Sequence, residues 1–207
     1  MKKFITCLLT TVLMVGCASS TASTSSVSSS TTSTSEETEQ VTITNTVELA
    51  AVKSTMSDYK WVGSEVGDFE ETSLKETIRL FDEKGSAVVY YGYPGCQWCE
   101  RALPELNKVA LKYGVMIYYV NASVSPADED YSKIKECFGD SLRTDEDTGE
   151  REMYVPFVVG IKNGEVVGSH ISLVDDFTIE SDSSQMSDSQ KQELQDIYAD
   201  IILNVAD

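Results

Sequence analysis

The chain has 207 residues, a formal net charge of −18 and five cysteines. This length suits one domain, or one domain with tails, and is sufficient to bury a core. Because so acidic a chain is repelled by phosphate groups and anionic lipids, its charge argues against nucleic-acid binding and against electrostatic membrane binding. Five cysteines are too few for a small disulfide-rich scaffold, and an odd number cannot all pair with one another.

The first sixteen residues have the pattern of an export signal. Lys2 and Lys3 precede a mainly apolar run over residues 4–15, which is too short to span about 30 Å of hydrocarbon. The run ends in Leu-Met-Val-Gly before Cys17, which resembles the lipobox of bacterial lipoproteins. The resemblance implies cleavage before Cys17, lipid attachment to its thiol, and a protein held outside the cytoplasm on the cell membrane. The alternative is an ordinary signal peptide followed by a chance cysteine.

Residues 17–44 are predicted to be a lipidated cysteine followed by a disordered tether. From residue 19 to residue 35, fifteen of seventeen residues are Ser or Thr, a composition that buries too little apolar surface to offset the entropy of an ordered chain. Alternation in residues 41–44 indicates the beginning of a strand. We therefore place the folded domain at residues 45–207.

The first half of the domain is predicted to alternate strand and helix. A capping box at residues 73–76 begins a helix that Gly85 ends. Three further elements follow: a buried strand over residues 87–91, a helix from Cys96 to just before Gly114, and a second buried strand over residues 115–120. The order strand, helix, strand implies a right-handed crossover and parallel pairing.

The second half of the domain is predicted to contain a polar insertion, a hairpin and a terminal helix. Its elements are a helix at residues 131–138, strands at residues 154–161 and 165–168, and a helix at residues 187–205. The two strands meet at Asn163-Gly164, a dipeptide typical of two-residue hairpin turns. Together these elements predict an α/β fold with a central mixed sheet flanked by helices.

Two cysteines lie where a predicted strand leads into a predicted helix. A cysteine in the first turn of a helix has its thiolate stabilised by unpaired backbone N–H groups and by the helix dipole, so its pKa falls. Cys99 lies one helical turn after Cys96 and can attack a mixed disulfide formed there. The position therefore predicts a redox-active pair, with Cys96 as nucleophile and Cys99 as resolving thiol.

Residues 88–99, with the sequence Val-Val-Tyr-Tyr-Gly-Tyr-Pro-Gly-Cys-Gln-Trp-Cys, resemble the active-site unit of thioredoxin-fold thiol–disulfide oxidoreductases. Residues 154–158, Tyr-Val-Pro-Phe-Val, resemble the segment with which that family begins its cis-proline strand. The chain looks most like extracellular thioredoxin-like lipoproteins and bacteriocin-transport accessory proteins of Gram-positive bacteria. The resemblance implies a thioredoxin-like fold with a helical and loop insertion between the second parallel strand and the cis-proline strand.

The resemblance also implies which residues contact a substrate. Pro156 would be cis and packed against the cysteine pair, and the backbone of Val155 could then pair with an extended substrate. Trp98, between the two cysteines, is predicted to be apolar surface that faces the substrate. The alternatives are an edge-strand proline without a role and a tryptophan in the core.

Two departures from the family pattern bear on mechanism. Where the family has a buried Asp that takes up the proton of the resolving thiol, this chain has Tyr90, and a phenol is a poor base at neutral pH. Water or another carboxylate, such as Glu100, would then have to accept that proton. The dipeptide Gln-Trp between the cysteines matches neither the reductants nor the oxidants of the family, so the direction of electron flow stays open.

The remaining cysteine and the single histidine of the domain have competing interpretations. Cys137 and His170 could in principle complete a zinc site with the cysteine pair, but both are distant from that pair in sequence, so we predict no metal site. Cys137 is expected to be a small buried apolar residue, with a third redox thiol as the alternative. His170 is expected at a strand end. No cofactor is expected beyond a redox-active disulfide between Cys96 and Cys99.

The sequence thus predicts an enzyme, a membrane-anchored extracytoplasmic thiol–disulfide oxidoreductase. Its expected partners are exported polypeptides with thiols or disulfides and a separate redox partner protein, in an oxidising compartment. The alternative is a non-catalytic thioredoxin-fold accessory or binding module, for example in bacteriocin transport, in which Cys96 and Cys99 form a permanent structural disulfide. The absence of the buried Asp motivates this alternative.

Overall fold

The computed structural model describes residues 39–207, in which eight strands and four helices follow one another. The strands are β1 (Ala51–Ser54), β2 (Asp68–Thr72), β3 (Ala87–Gly92), β4 (Met116–Asn121), β5 (Arg143–Thr144), β6 (Arg151–Glu152), β7 (Phe157–Lys162) and β8 (Glu165–Ile171). The helices are α1 (Leu74–Asp82), α2 (Gln97–Tyr113), α3 (Asp128–Phe138) and α4 (Asp188–Val205). The export signal, Cys17 and most of the tether lie outside the described residues, so those assignments stay predictions.

Six of the strands form one mixed sheet in the order β1-β2-β4-β3-β7-β8. Strands β2, β4 and β3 are parallel to one another, whereas β1, β7 and β8 each run antiparallel to the neighbour they pair with. The α/β class, with a central mixed sheet flanked by helices, is confirmed. The order and directions of the strands from β2 to β8 are those of a thioredoxin-like fold.

The central strand β3 explains why the sheet is covered on both faces. All six of its residues are buried, and successive side chains of a strand point to opposite faces. Val88 and Tyr90 join the core beneath α2 and α4, while Val89 and Tyr91 join the core beneath α1 and α3. The short apolar run in the sequence therefore corresponds to a central strand that is buried on both faces of the sheet, as predicted.

The two strands at one edge of the sheet have no clear signal in the sequence. Strand β1 exposes Val52 and Lys53, and β2 contains Glu70 and Glu71, so neither shows an apolar alternation. The prediction of a strand at residues 41–44 is wrong. That segment is irregular, and its main chain is bonded to the ends of two helices instead, from the Val41 N–H to the Tyr113 carbonyl at 3.1 Å and from the Asp207 N–H to the Thr42 carbonyl at 3.0 Å.

The insertion between β4 and β7 consists of α3, a short 3-10 turn (Gly139–Ser141) and the β5–β6 hairpin. Helix α3 begins three residues earlier than predicted, because its first turn is acidic and so favourable at a helix N-terminus although it has no apolar pattern. Strand β7 begins three residues later than predicted, directly after Pro156, which has no N–H group for strand pairing.

Candidate active site

The loop that follows β3 delivers Cys96 to the first turn of α2. Cys96 is the N-cap residue of that helix, and its sulfur accepts a hydrogen bond from the backbone N–H of Cys99 at 3.4 Å. Cys99 lies one turn inside the helix and is fully buried, whereas Cys96 is 8% exposed. Both cysteines are free thiols in the structure. The structure therefore brings the two sulfurs together as a dithiol in which both residues are buried and only Cys96 retains a small solvent-accessible area.

The surroundings of the two thiols shift their pKa values in opposite directions. The neighbouring Cys99 thiol, together with the backbone N–H groups of Cys99 and Trp98, lowers the pKa of Cys96 below that of a free thiol. The neighbouring Cys96 sulfur, together with burial, raises the pKa of Cys99. The pair therefore has its negative charge on the outer sulfur and its proton on the inner one, which is the distribution that a nucleophile and a resolving thiol require.

Glu100 fixes the loop that presents Cys96. Its side chain is buried, and its two oxygens accept hydrogen bonds from the backbone N–H groups of Gly95 at 2.7 Å and Lys60 at 2.5 Å. This role differs from the proton acceptor that the sequence analysis considered. Nothing in the sequence indicated it, because both partners are main-chain groups and Lys60 is forty residues away.

Arg101 anchors a second loop beside the site. Its buried guanidinium lies 4.9 Å from the centre of the Trp61 ring. It donates to three main-chain carbonyl groups of the segment that precedes α4, those of Ser181, Asp182 and Ser184. The Gln97 side chain, next to Cys96, donates to the Asp182 carboxylate at 3.1 Å. The first turn of α2 is thus enclosed by chain segments distant in sequence, which sequence patterns did not reveal.

The Val155–Pro156 peptide bond is cis and lies beside the loop that contains Cys96. Because Tyr91 pairs with Phe157 in antiparallel register, continuing that register places Pro156 level with Gly92 and Val155 level with the next residue of the loop. Pro156 is buried and Val155 is half-buried. The sheet therefore positions residues 155–156 next to the start of the loop that contains Cys96.

The backbone N–H and carbonyl groups of Val155 have no hydrogen-bond partner among the described residues. The carbonyl of the following residue, Pro156, accepts from the Ser172 N–H at 2.8 Å, but neither the N–H nor the carbonyl of Val155 bonds to any of residues 39–207. Trp98 lies on the same end of the molecule, in the exposed first turn of α2, and is 48% exposed. The structure thus leaves the Val155 main chain unpaired near the loop of Cys96 and exposes a large aromatic side chain in the first turn of α2.

A wide groove of about 1010 Å³ adjoins Val155. It lies between β1, the start of α1 and the segment after β4, and its apolar lining includes Val52, Leu74, Val120, Val124, Met153 and Val155. Val52 and Val124 are each 68% exposed. The sequence analysis missed this groove because its walls come from edge strands and loops without an apolar pattern.

Four buried tyrosines surround Cys99 on the inner side of the site. They are Tyr59, Tyr90, Tyr119 and Tyr198, all in the core beneath α2 and α4. Burial raises the pKa of each of these phenols, so all four are protonated at neutral pH. Tyr90 is the residue that replaces the family's Asp, and the structure places its side chain beside the Cys99 thiol.

Cys137 and His170 do not join the cysteine pair in one site. Cys137 is half-buried on α3 and packs against the core on the opposite face of the sheet from Cys99. His170 lies on β8, opposite Val158, and burial lowers its pKa. Among residues 39–207, no three His, Cys, Asp or Glu side chains are grouped so that they could hold a metal ion.

Within residues 39–207, none of the helices combines the length and the apolar character needed to cross a membrane. The chain matches no protein-family model and no curated protein sequence. Among solved structures, it is similar to a thioredoxin from Aeropyrum pernix, with 16% sequence identity and a TM-score of 0.33 over 61% of this chain and 86% of that one.

Proposed function

We propose that this protein is a thiol–disulfide oxidoreductase that exchanges disulfides with exported polypeptides through Cys96 and Cys99. The observation that supports this most directly is the division of charge within the pair. Cys96 is the N-cap of α2 and has a lowered pKa, while the Cys99 thiol one turn further is buried and protonated. A thiolate at the surface is the attacking species in disulfide exchange.

Exchange would proceed in two displacements at sulfur. The Cys96 thiolate attacks a substrate disulfide, which forms a mixed disulfide and releases one substrate thiolate. Cys99 then attacks the sulfur of Cys96, which closes the intramolecular disulfide and releases the second substrate sulfur. The substrate gains two electrons and the cysteine pair loses two. The reverse sequence oxidises a dithiol substrate, and a redox partner protein that resets the pair determines which direction prevails.

The open backbone at Val155 would hold the substrate for the first displacement. An extended polypeptide can add to an unpaired strand end by main-chain hydrogen bonds, and the N–H and carbonyl of Val155 are free among the described residues. The register of β3 and β7 places Val155 beside the loop of Cys96. A disulfide in the bound segment would then lie close to the attacking sulfur.

The groove next to Val155 favours a polypeptide over a small disulfide as substrate. A small disulfide needs only the surroundings of Cys96, whereas a groove of about 1010 Å³ can accommodate several apolar side chains on one side of the substrate cysteine. The exposed side chains of Trp98 and Val124 supply further apolar contact area for a polypeptide.

We further propose that the chain acts outside the cytoplasm, anchored by lipid at Cys17. The support is the sequence alone: a short apolar run ending at Gly16-Cys17, followed by a Ser/Thr-rich segment that could serve as a tether. In cell fractionation, the wild-type chain is expected with the membranes and the C17S chain in the soluble fraction. Equal membrane association of both would overturn the lipid anchor.

Reduction of insulin by a small dithiol tests the exchange activity. The full chain is expected to accelerate the reaction, and C96S is expected to abolish the acceleration. C137S removes a thiol on the opposite face of the sheet and should leave the rate unchanged. C99S should instead accumulate a covalent complex between Cys96 and its substrate, detectable by mass spectrometry in cell extracts. Full activity in C96S would show that the catalytic assignment is wrong.

The reduction potential separates this proposal from the alternative of a binding module with a permanent disulfide. A structural disulfide has a potential below roughly −300 mV, and an exchanging one lies above it. Equilibration of the pair against glutathione, followed by mass spectrometry of alkylated Cys96 and Cys99, measures the potential. A value well below that limit would favour the binding module.

A further inference from the structure

The buried polar atoms that lack a hydrogen-bond partner within residues 39–207 gather on one face of the sheet. They are the hydroxyls of Tyr59, Tyr90, Tyr119 and Tyr198, and Nε2 of His170. The four tyrosines belong to the core that contains Cys99, and His170 lies 6.1 Å from the Tyr198 ring. Because native structures leave few buried polar groups unpaired, four such phenols around one thiol require an explanation.

Tyr90 is the member of this group that is placed to act on Cys99. Its ring is enclosed by those of Tyr59 and Tyr119, with centroids 6.3 Å and 5.8 Å away. Its hydroxyl extends along β3 to Gly92, where a β-carbon would overlap it. The absence of a side chain at Gly92 therefore leaves the space that the hydroxyl occupies. Held in this way, the phenol has little freedom except to rotate its O–H bond.

The Tyr90 hydroxyl is close to the Cys99 thiol, and it has no hydrogen-bond partner within residues 39–207. Its proximity nevertheless acts to lower the pKa of Cys99, against the larger effects of Cys96 and burial, which raise it. Burial raises the pKa of Tyr90 itself, so the phenol keeps its proton. A protonated phenol next to a sulfur is a donor that gains strength when the sulfur becomes negatively charged.

Resting on the proposed function, we propose that the Tyr90 hydroxyl is the hydrogen-bond donor that stabilises the Cys99 thiolate during the resolving step. In this step the Cys99 sulfur loses its proton and attacks the sulfur of Cys96 in the mixed disulfide. The new S–S bond forms as the bond from Cys96 to the substrate breaks. The substrate sulfur leaves with the electron pair and finally takes the proton that Cys99 has lost, so the step needs no other reactant.

This role differs from that of the carboxylate which the resemblance would have placed at the same position. A carboxylate can take the proton of the resolving thiol, whereas Tyr90 keeps its own proton and stabilises the charge that remains on sulfur. The rings of Tyr59 and Tyr119 keep water from the hydroxyl, because both are buried against it. A hydrogen bond to a charged group in such a dry site is stronger than one in water.

The test separates the two displacements with a small chromogenic disulfide that releases one coloured thiolate in each. The full chain is used with C7S, C17S and C137S, so that only the cysteine pair reacts. In stopped-flow absorbance, the first release reports the attack by Cys96 and the second reports the attack by Cys99. C99S identifies the second phase by abolishing it.

Y90F is expected to slow the second phase on the order of ten-fold or more while changing the first by less than about two-fold. The matched control is Y91F, which removes a buried hydroxyl from the adjacent residue of β3, on the opposite face, where it is bonded to Thr77 at 2.8 Å. Y91F is expected to leave both phases unchanged. A second phase in Y90F within about two-fold of the wild type, in a variant shown by circular dichroism to be folded, would overturn the proposal.

A second measurement does not depend on turnover. In a C96S background, the pKa of Cys99 is followed by thiolate absorbance, and adding Y90F is expected to raise it by about one unit while adding Y91F leaves it unchanged. An unchanged pKa in Y90F would contradict the proposal even if that variant were less stable. Because both measurements use no polypeptide, a failure of insulin reduction would overturn the proposed substrate without affecting the assignment of Tyr90.

Discussion

The Cys96 sulfur caps the helix that contains Cys99, by accepting the Cys99 backbone N–H at 3.4 Å. Oxygen-bearing side chains usually take this position, and a thiolate satisfies the same N–H group while also interacting with the positive end of the helix dipole. Cys96, the proposed nucleophile, is therefore part of the secondary structure that stabilises its charge. Protonation, alkylation or oxidation of Cys96 each alters the N-terminal cap of α2.

The first prediction concerns pH. The pKa of Cys96 is lowered in the folded state relative to about 8.5 for an unfolded thiol, so the unfolded chain binds more protons in the interval between the two values. The stability of the reduced protein should therefore rise with pH across that interval, and should be lost as pH falls through the lowered pKa of Cys96.

Urea unfolding of the reduced chain at a series of pH values measures this dependence, with C96S as the reference. Serine can still cap α2 but does not titrate, and Cys99 stays largely protonated in both chains below about pH 8.5, so over that range the difference in unfolding free energy between the two chains reports on Cys96. His170, whose pKa burial lowers, contributes equally to both and cancels. A difference that does not vary with pH between about 5 and 8.5 would contradict the lowered pKa of Cys96.

The second prediction concerns Glu100, which stabilises the loop before α2 but disfavours the thiolate form of Cys96. Its carboxylate accepts the Gly95 and Lys60 N–H groups, and its negative charge raises the pKa of Cys96 against the other influences. E100Q removes the charge and can keep only one of the two hydrogen bonds, because the amide nitrogen of glutamine cannot accept from a backbone N–H group. We expect it to cost about 1–3 kcal/mol of stability and to lower the pKa of Cys96 further.

The rate of alkylation by iodoacetamide, measured as a function of pH, reports the pKa of Cys96. Urea unfolding of the same preparation reports the free energy of unfolding. E105Q is the matched control, since Glu105 is also a buried carboxylate on α2 but bonds to Lys108 and Gln195, away from the loop. It is expected to lose stability without changing the alkylation profile. If E100Q and E105Q gave the same dependence of alkylation rate on pH, the predicted effect of Glu100 on the pKa of Cys96 would be contradicted.

The central elements of the fold could be predicted from the sequence, whereas the edge strands β1 and β2 could not. Strands β3 and β4 and helix α2 are confirmed because each has a local pattern, including Gly114 in the left-handed conformation at the end of α2. The capping box of α1 is only half formed. Ser73 accepts from the Glu76 N–H at 3.2 Å, but the Glu76 carboxylate bonds to the Ala50 N–H, a partner that no local pattern specifies.

In the candidate site, too, local motifs could be predicted from the sequence and long-range contacts could not. The cysteine pair and the Val155-Pro156 segment are recognisable because each is a short contiguous motif. The contacts that support them are long-range: Lys60 lies forty residues before Glu100, and Ser184 lies eighty-three residues after Arg101. Tyr90 is recognisable as a departure from the family pattern, but the unpaired state of its hydroxyl depends on packing among residues from β3, β4, α4 and the loop between β1 and β2, and could not be predicted from the chain.

The third prediction concerns the groove. Val124 is exposed on its wall, so V124E introduces a charge where we expect apolar side chains of a substrate polypeptide to bind. The KM for insulin should rise several-fold because burying an unpaired carboxylate is unfavourable. The rate with the small chromogenic disulfide should not change, since that substrate does not extend into the groove.

L203E is the control for the groove, because Leu203 is an exposed apolar residue of α4, 44% exposed, outside the groove. It should leave both substrates unaffected. Equal insulin kinetics for V124E, L203E and the wild type would mean that the polypeptide binds elsewhere. An equal loss with both substrates would instead indicate damage to the cysteine pair.

The fourth prediction uses Gly92 to move the Tyr90 hydroxyl without removing it. A β-carbon at this position overlaps the phenol oxygen, so G92A forces the Tyr90 ring to shift within a core already filled by Tyr59 and Tyr119. The strain should cost about 1–3 kcal/mol of stability. Because the hydroxyl is displaced relative to Cys99, the second thiolate release should also slow, with a smaller effect on the first.

The double variant G92A/Y90F tests whether this loss arises through the hydroxyl. With phenylalanine at position 90 the oxygen that meets the new β-carbon is absent, but the ring carbon Cζ at 2.6 Å still meets it, so the strain is reduced without being removed and the double variant should be somewhat more stable than G92A alone. Its second phase should be no slower than that of Y90F, because the donor is already lost. Additive slowing in the double variant would show that Gly92 acts on Cys99 by a route independent of Tyr90.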